Sequence, residues 1–239
     1  MEYGIQMYSV RDLTEKNMAE ALRQVASLGY RNVEFAGFFG HPAEEIRDLL
    51  AQYGLRASGT HTGMDAIADH FEETVHYHRT IGCKNIIVPG ADLSCQEKLD
   101  AFVEKANRFG PLLEREGITL GYHNHAREFL LNADGSAIHE QLVYRTKLRL
   151  EIDTYWAWVG MGDPVALMER LRDRIHVIHI KDGDRDGNGR PLGMGQAPCR
   201  EVWQKAAEMK IPMVVESETL TPSGMKEAEI CMEYLRGMK

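Results

Sequence analysis

Short apolar runs of strand length recur along the chain, beginning near residues 3, 31, 56, 85, 118, 148, 175 and 212. Their starts lie 25 to 37 residues apart, the length of one strand-plus-helix unit. Between them, apolar positions return with helical spacing over Met18–Leu28, Pro42–Tyr53, Ala66–Ile81, Gln96–Glu116, Pro164–Arg172, Arg200–Met209 and Lys226–Met238. Gly29, Gly54, Gly82 and Gly117 stand just past four of these segments, where a left-handed residue closes a helix. The stretch from Leu130 to Lys147 is poorly helical and predicts a short helix near Ser136–Val143. Eight strands alternating with helices, with no linker or break in composition, predict an α/β protein: one (β/α)8 TIM-barrel domain over residues 1–239. A doubly wound open sheet is the rival. It would prefer a Gly-rich first turn, and Tyr8-Ser9-Val10-Arg11-Asp12 is not one.

Composition narrows the partners. Apolar content of 44% and charged content of 27% fit an ordinary globular chain. A net charge of −8 argues against a nucleic acid, whose phosphates want clustered Lys and Arg. Cys83, Cys95, Cys199 and Cys231 show no CxxC spacing, so reduced thiols in a cytoplasmic protein are expected. The first residues lack the basic and apolar regions of a signal peptide, and no apolar run is long enough to cross a membrane. A small-molecule partner is expected, with self-association into a homo-oligomer left open.

In a TIM barrel, chemistry gathers where strands end and loops begin. The first strand offers Gln6, Tyr8 and Arg11 there, the second Glu34, and the third His61. The fourth ends only in Val88-Pro89-Gly90, while the fifth ends in His123, Asn124 and His125. The sixth supplies Glu151 and Asp153, the seventh His179 and Lys181, and the eighth Glu216 and Glu218. Taking one residue from each of the last four strands gives His123, Asp153, His179 and Glu216. Two imidazoles and two carboxylates make a mixed nitrogen and oxygen cage, suited to a transition metal and lacking the thiolates of a structural zinc site. One divalent ion is expected, Mn²⁺ first, with Zn²⁺, Co²⁺, Fe²⁺, Ni²⁺ or Mg²⁺ as alternatives and no organic cofactor. Each residue alone could instead be a loop cap or a polar rim. His176 has the wrong parity relative to His179, and His70, His76 and His78 on a helical segment are expected to be solvated. Glu151 shares the face of Asp153 and either sits one layer deeper, orienting its neighbours, or is simply paired.

The motifs Gly4-Ile5-Gln6-Met7-Tyr8-Ser9-Val10-Arg11, Val33-Glu34-Phe35-Ala36-Gly37, Gly121-Tyr122-His123-Asn124-His125, Ile152-Asp153-Thr154, His179-Ile180-Lys181-Asp182 and Val215-Glu216 carry a resemblance. Over essentially its whole length the chain resembles the xylose isomerase-like TIM-barrel superfamily, the sugar phosphate isomerase/epimerase proteins. The resemblance implies a divalent metal held by Glu, Asp, His and Glu from the last four strands. Asp153, His179 and Glu216 match three of these positions; His123 stands where many relatives have Glu. In ketose 3-epimerases the two glutamates also move protons on opposite substrate faces, so His123 departs from that pattern. Variants with a His-Asn-His or His-His-His motif in this place resemble inosose dehydratases and lyases acting on 3-keto sugars.

The chemistry shared across that superfamily is proton abstraction next to a carbonyl, through a metal-stabilised enediolate. Here Glu216 or His125 would take the proton, and Lys181 would polarise an oxygen or donate one, unless it is simply paired with Asp182 or Glu218. Gln6, Tyr8, Glu34 and His61 would meet sugar hydroxyls, Trp156 and Trp158 would form an apolar wall, and Arg185 would contact substrate. The expected function is a metal-dependent isomerase or epimerase on a keto-sugar or cyclitol. A dehydratase or lyase working through the same enediolate is the alternative. An AP-endonuclease-like nuclease ranks lower, because the fourth strand lacks the histidine of that branch and the chain is acidic. An inactive sugar-binding barrel is the remaining reading.

Overall fold

The computed structural model describes residues 1–238. Eight parallel strands close on themselves in sequence order, the first pairing with both the second and the eighth. In order they are Gly4–Gln6, Asn32–Phe35, Arg56–His61, Asn85–Val88, Thr119–His123, Arg149–Asp153, Ile175–Ile180 and Met213–Val215. This is the (β/α)8 barrel that the apolar pattern predicts. Closure is tight at Gly4, where a Cβ would stand 2.9 Å from Val214 Cγ2, too close for any side chain.

The helices lie where their periodicity places them, because each has one apolar stripe to bury. In Met18–Leu28 the buried positions are Met18, Ala21, Leu22 and Val25, the i, i+3, i+4, i+7 face of a helix packed on a sheet. Asn17 caps its start by accepting from Glu20 N, and Gly29 ends it at φ 104°. The other long helices are Ala43–Tyr53, Gln96–Arg115, Cys199–Met209 and Gly224–Arg236. The short helix of the weak stretch runs over Ile138–Arg145.

Three details differ from the sequence pattern. The predicted helix 66–81 is two helices, Met64–Asp69 and Phe71–Thr80, broken at His70, whose φ of −131° leaves the helical region. His78 is buried, not solvated: its ring meets Thr60 Oγ1 at 2.6 Å and Thr74 O at 2.7 Å, tying this helix to the third strand. A helix over Thr154–Met161 follows the sixth strand directly. It has no polar face to give it a period, since its first turns are buried against the barrel rim. Among the described residues no helix is long and apolar enough to cross a membrane.

Candidate metal centre and active site

The last four strands bring His123, Asp153, His179 and Glu216 to one point, with a ligand atom from each within 4.8 Å of the others. Parallel register explains the convergence: Asp153 and His179 are direct cross-strand partners, and Glu216 leaves the eighth strand one residue beyond Val215, the partner of Ile180. His123 Nε2 lies 3.5 Å from Asp153 Oδ2, and His179 Nδ1 lies 3.4 Å from Glu216 Oε2.

Each aspartate oxygen has a separate task. Oδ1 accepts from Trp156 N at 2.8 Å and so caps the helix Thr154–Met161, which turns Oδ2 toward the cluster. That Oδ2 has no hydrogen-bond partner, and neither nitrogen of the buried His123 ring has one. Leaving a buried polar atom unpaired costs about 1–3 kcal/mol. Asp153 Oδ2 and the nearer His123 nitrogen, Nε2, meeting a second imidazole and a second carboxylate, fit a divalent metal ion. Burial first of all holds the His123 imidazole at about 4, so that it stays a neutral, lone-pair donor at neutral pH. Burial works against the Glu216 carboxylate, but Lys181 and His179 outweigh it and hold that carboxyl below its usual range.

Lys181 stands at the rim of the cage. Its ammonium is bonded to Glu218, lies 3.2 Å from Glu216 Oε2 and 4.0 Å from Asp153 Oδ2, and sits 5.0 Å above the Trp156 ring. Beyond it opens a cavity of about 410 Å³ lined by Trp156, Lys181, Arg190, Glu218 and Thr219, a volume suited to a small ligand. The indole N–H of Trp156 is buried without a partner. His125 lies exposed at the mouth, its ring 4.9 Å from that of His123 and 6.0 Å from that of Trp156.

The structure gathers some of the expected site residues and separates others. Gln6, Glu34 and His61 do not face the cavity. Gln6 donates to Glu34 Oε1 at 2.7 Å, and Glu34 and His61 pack with Glu151 beneath His179. Tyr8 is exposed on the upper surface with the Arg11 guanidinium 4.0 Å over its ring. Arg185 lies 3.9 Å over the Trp158 ring and donates to the Trp158 carbonyl, so this pair is engaged with itself. Lys181 is paired with Glu218 and lies buried beside the cluster.

Two carboxylates that strand-end reasoning did not single out hold the loops above. Asp182 accepts from the backbone N–H groups of Gly183, Gly193, Gly195 and Ala197 at 2.8 to 3.1 Å, closing both ends of an excursion that includes the small hairpin Asp182–Gly183/Gly189–Arg190. Glu227 accepts from Ser217 Oγ, Thr221 N and Thr219, fixing the segment that carries Glu216 and Glu218. Glycines 183, 193 and 195 after an Asp are the signal that could have revealed the first; Glu227 lies on a helix and carries no such sign.

The barrel and this strand-end cluster define a class. The chain belongs to the xylose isomerase-like TIM barrel family, whose model matches residues 22–237. It is similar to an inosose dehydratase of Geobacillus kaustophilus, 26% identical over 192 residues, covering 70% of this chain and 62% of that protein. The chain thus spans less than two thirds of the length of the curated relatives it matches. In structure it resembles a sugar phosphate isomerase/epimerase from Parabacteroides distasonis, with a TM-score of 0.87, 25% identity and coverage of 100% of this chain and 95% of that one. An AP endonuclease, family 2, from Brucella melitensis shares the barrel at a TM-score of 0.74 and 17% identity, covering 91% of this chain and 93% of that one.

Proposed function

We propose that this protein is a divalent-metal-dependent enzyme that removes a proton next to a carbonyl of an unphosphorylated keto-sugar or cyclitol and then expels water from the neighbouring carbon. The observation that carries this reading is the buried His123 ring, with both nitrogens unpartnered, beside the unpartnered Asp153 Oδ2. His123, Asp153, His179 and Glu216 would hold the ion. Bound there, it would supply Lewis-acid polarisation of neighbouring substrate oxygens, lowering the cost of the enediolate charge.

The chain's own residues divide the proton work. Glu216 first takes the proton from carbon, leaving the electron pair delocalised as the enediolate; that pair then re-forms the carbonyl and the new carbon–carbon double bond as the β C–O bond breaks. The Lys181 ammonium protonates the departing hydroxide, which leaves as water. The proton on Glu216 then passes to the Lys181 amine, 3.2 Å away, and both groups are restored. Trp156 offers an apolar face to the ring of the substrate. Both cations lining the cavity are already paired, Lys181 with Glu218 and Arg190 with Asp184, which favours a substrate without phosphate.

Elimination is preferred over epimerisation because base and acid stand side by side. With His123 in the cage, the second glutamate that would face the opposite side of the substrate is absent. The likeness to relatives named inosose dehydratase supports the same reading. An isomerase or epimerase is the second reading, favoured by the likeness to a sugar phosphate isomerase/epimerase. The deciding experiment incubates Mn²⁺-reconstituted protein with inososes, ketoses and 3-keto sugars in D₂O, followed by NMR. Deuterium exchange with loss of water is expected for one of these classes. Exchange with a new stereocentre and no loss of water would favour the epimerase, and no exchange with any of them would overturn the proposal.

A further inference from the structure

Beneath the cage lies a second cluster that the proposed chemistry does not use. His179 presents its two nitrogens to different neighbours. Nδ1 faces Glu216, while Nε2 lies 2.7 Å from Glu34 Oε1 and 3.1 Å from Glu151 Oε1. His61 Nε2 approaches the same two oxygens, at 2.8 Å from Glu151 Oε1 and 3.2 Å from Glu34 Oε1. Two imidazole nitrogens and two carboxylate oxygens therefore surround one point, each nitrogen touching both oxygens. We infer that Glu34, His61, Glu151 and Nε2 of His179 form a second, deeper site for a divalent metal ion, with the His179 imidazole standing between the two ions.

Four observations support a built site over a chance meeting of side chains. First, the donor set is two nitrogens and two oxygens, which suits a first-row ion such as Zn²⁺. Bonds of about 2.1 Å in a tetrahedron put neighbouring ligand atoms about 3.4 Å apart, so a few tenths of an ångström of expansion admits the ion. Second, Glu34 Oε2 and Glu151 Oε2 are buried and have no partner, an arrangement that hydrogen bonding among these four residues leaves unmet. Third, the register slips by one residue opposite each carboxylate, the extra residue being Ser58 on the third strand and His176 on the seventh, the strands that carry His61 and His179. Such bulges re-aim side chains and are concentrated at functional sites. Fourth, Gly59 leaves room for the cluster, since a Cβ there would stand 2.8 Å from Glu34 Oε2.

This inference shares His179 with the cage of the proposed function, and the test separates the two. Protein stripped with chelator is loaded with Zn²⁺ alone, freed of weakly held ions by gel filtration and assayed for metal per chain. About two ions are expected in the wild type and about one in His61→Gln, Glu34→Gln and Asp153→Asn, with circular dichroism confirming the fold of each. Using both His61→Gln and Glu34→Gln keeps the test decisive if one variant fails to fold. A wild type that binds about one ion, lost in Asp153→Asn and kept in His61→Gln, would overturn the deeper site and leave the cage standing. One ion lost in His61→Gln and kept in Asp153→Asn would support the deeper site and remove the cage. Two ions retained in both His61→Gln and Glu34→Gln would place the second ion elsewhere and overturn the inference.

Discussion

Asn124 and Asp153 are joined twice across the fifth and sixth strand ends. Asn124 Nδ2 donates to the Asp153 carbonyl at 3.1 Å, and Asn124 Oδ1 accepts from Asp153 N at 3.2 Å. The side chain thus mimics a missing stretch of sheet where the strands have already parted, and it holds Asp153 in register with His123. Asn124→Ala removes the side-chain partners of two buried backbone groups, at a cost of up to about 1–3 kcal/mol each. It is also expected to weaken metal binding about 10- to 100-fold, the usual effect of removing a partner that orients a ligand. Zinc titration alongside urea unfolding measures both. An unchanged affinity would show that the cap at Trp156 alone positions the aspartate.

Glu216 and Lys181 are assigned separate proton transfers, so their variants should fail differently. Glu216→Gln is expected to abolish both deuterium exchange and loss of water while the barrel stays folded. Lys181→Gln is expected to retain exchange while elimination falls about 10²- to 10⁴-fold, the range for losing a general acid. NMR in D₂O reads the two outcomes on one sample. Equal loss of both in Lys181→Gln would move the lysine into substrate binding.

Stability of the chelator-treated protein should fall on both sides of neutrality, for opposite reasons. Burial depresses His123 from 6.5 to about 4, so the folded state favours the neutral ring. Its contribution is present above pH 6.5 and is lost as pH falls toward 4. At His61, burial opposes the charge, but Glu34 and Glu151 outweigh it and raise the ring to about 10. That contribution is complete below pH 6.5 and is lost as pH rises toward 10. Burial, then Glu34, pushes Glu151 up to about 8, and its contribution is lost from pH 4.5 upward through the same region. Each group changes stability by at most about 1.4 kcal/mol per pH unit. Urea midpoints from pH 4 to 10 should therefore flatten on the alkaline side in His61→Gln and on the acid side in His123→Gln.

Asp182 closes the excursion over the cavity with four backbone hydrogen bonds to one carboxylate. Asp182→Ala frees those N–H groups, and the segment between residues 183 and 197 should become sensitive to trypsin at Arg185. Metal content should stay at the wild-type level, and KM should rise with a smaller change in kcat. Loss of metal in this variant would show that the clamp also supports His179.

The barrel was legible in the sequence because its signals are local. Each strand start falls within one residue of its predicted place, and the helix faces follow from apolar spacing alone. The cage was legible for a related reason. In a parallel barrel every strand ends at the same rim, so polar residues that close apolar runs, such as Asp153 and Glu216, converge without knowledge of the loops.

What the tertiary structure alone decided is depth and partnership. Counting alternate residues assumes an unbroken pleat, and extra residues at Ser58 on the third strand and His176 on the seventh break it. Glu34 and His61 pack against His179 inside the barrel and do not line the cavity where sugar hydroxyls are expected. Arg185 stacked on Trp158 and Lys181 bonded to Glu218 are likewise choices between neighbours far apart in sequence. The sequence by itself determined the fold and which four strand-end residues, His123, Asp153, His179 and Glu216, meet. Which nitrogen of His179 faces which carboxylate depends on how the closed barrel stacks one layer of side chains on the next, and no local pattern encodes that.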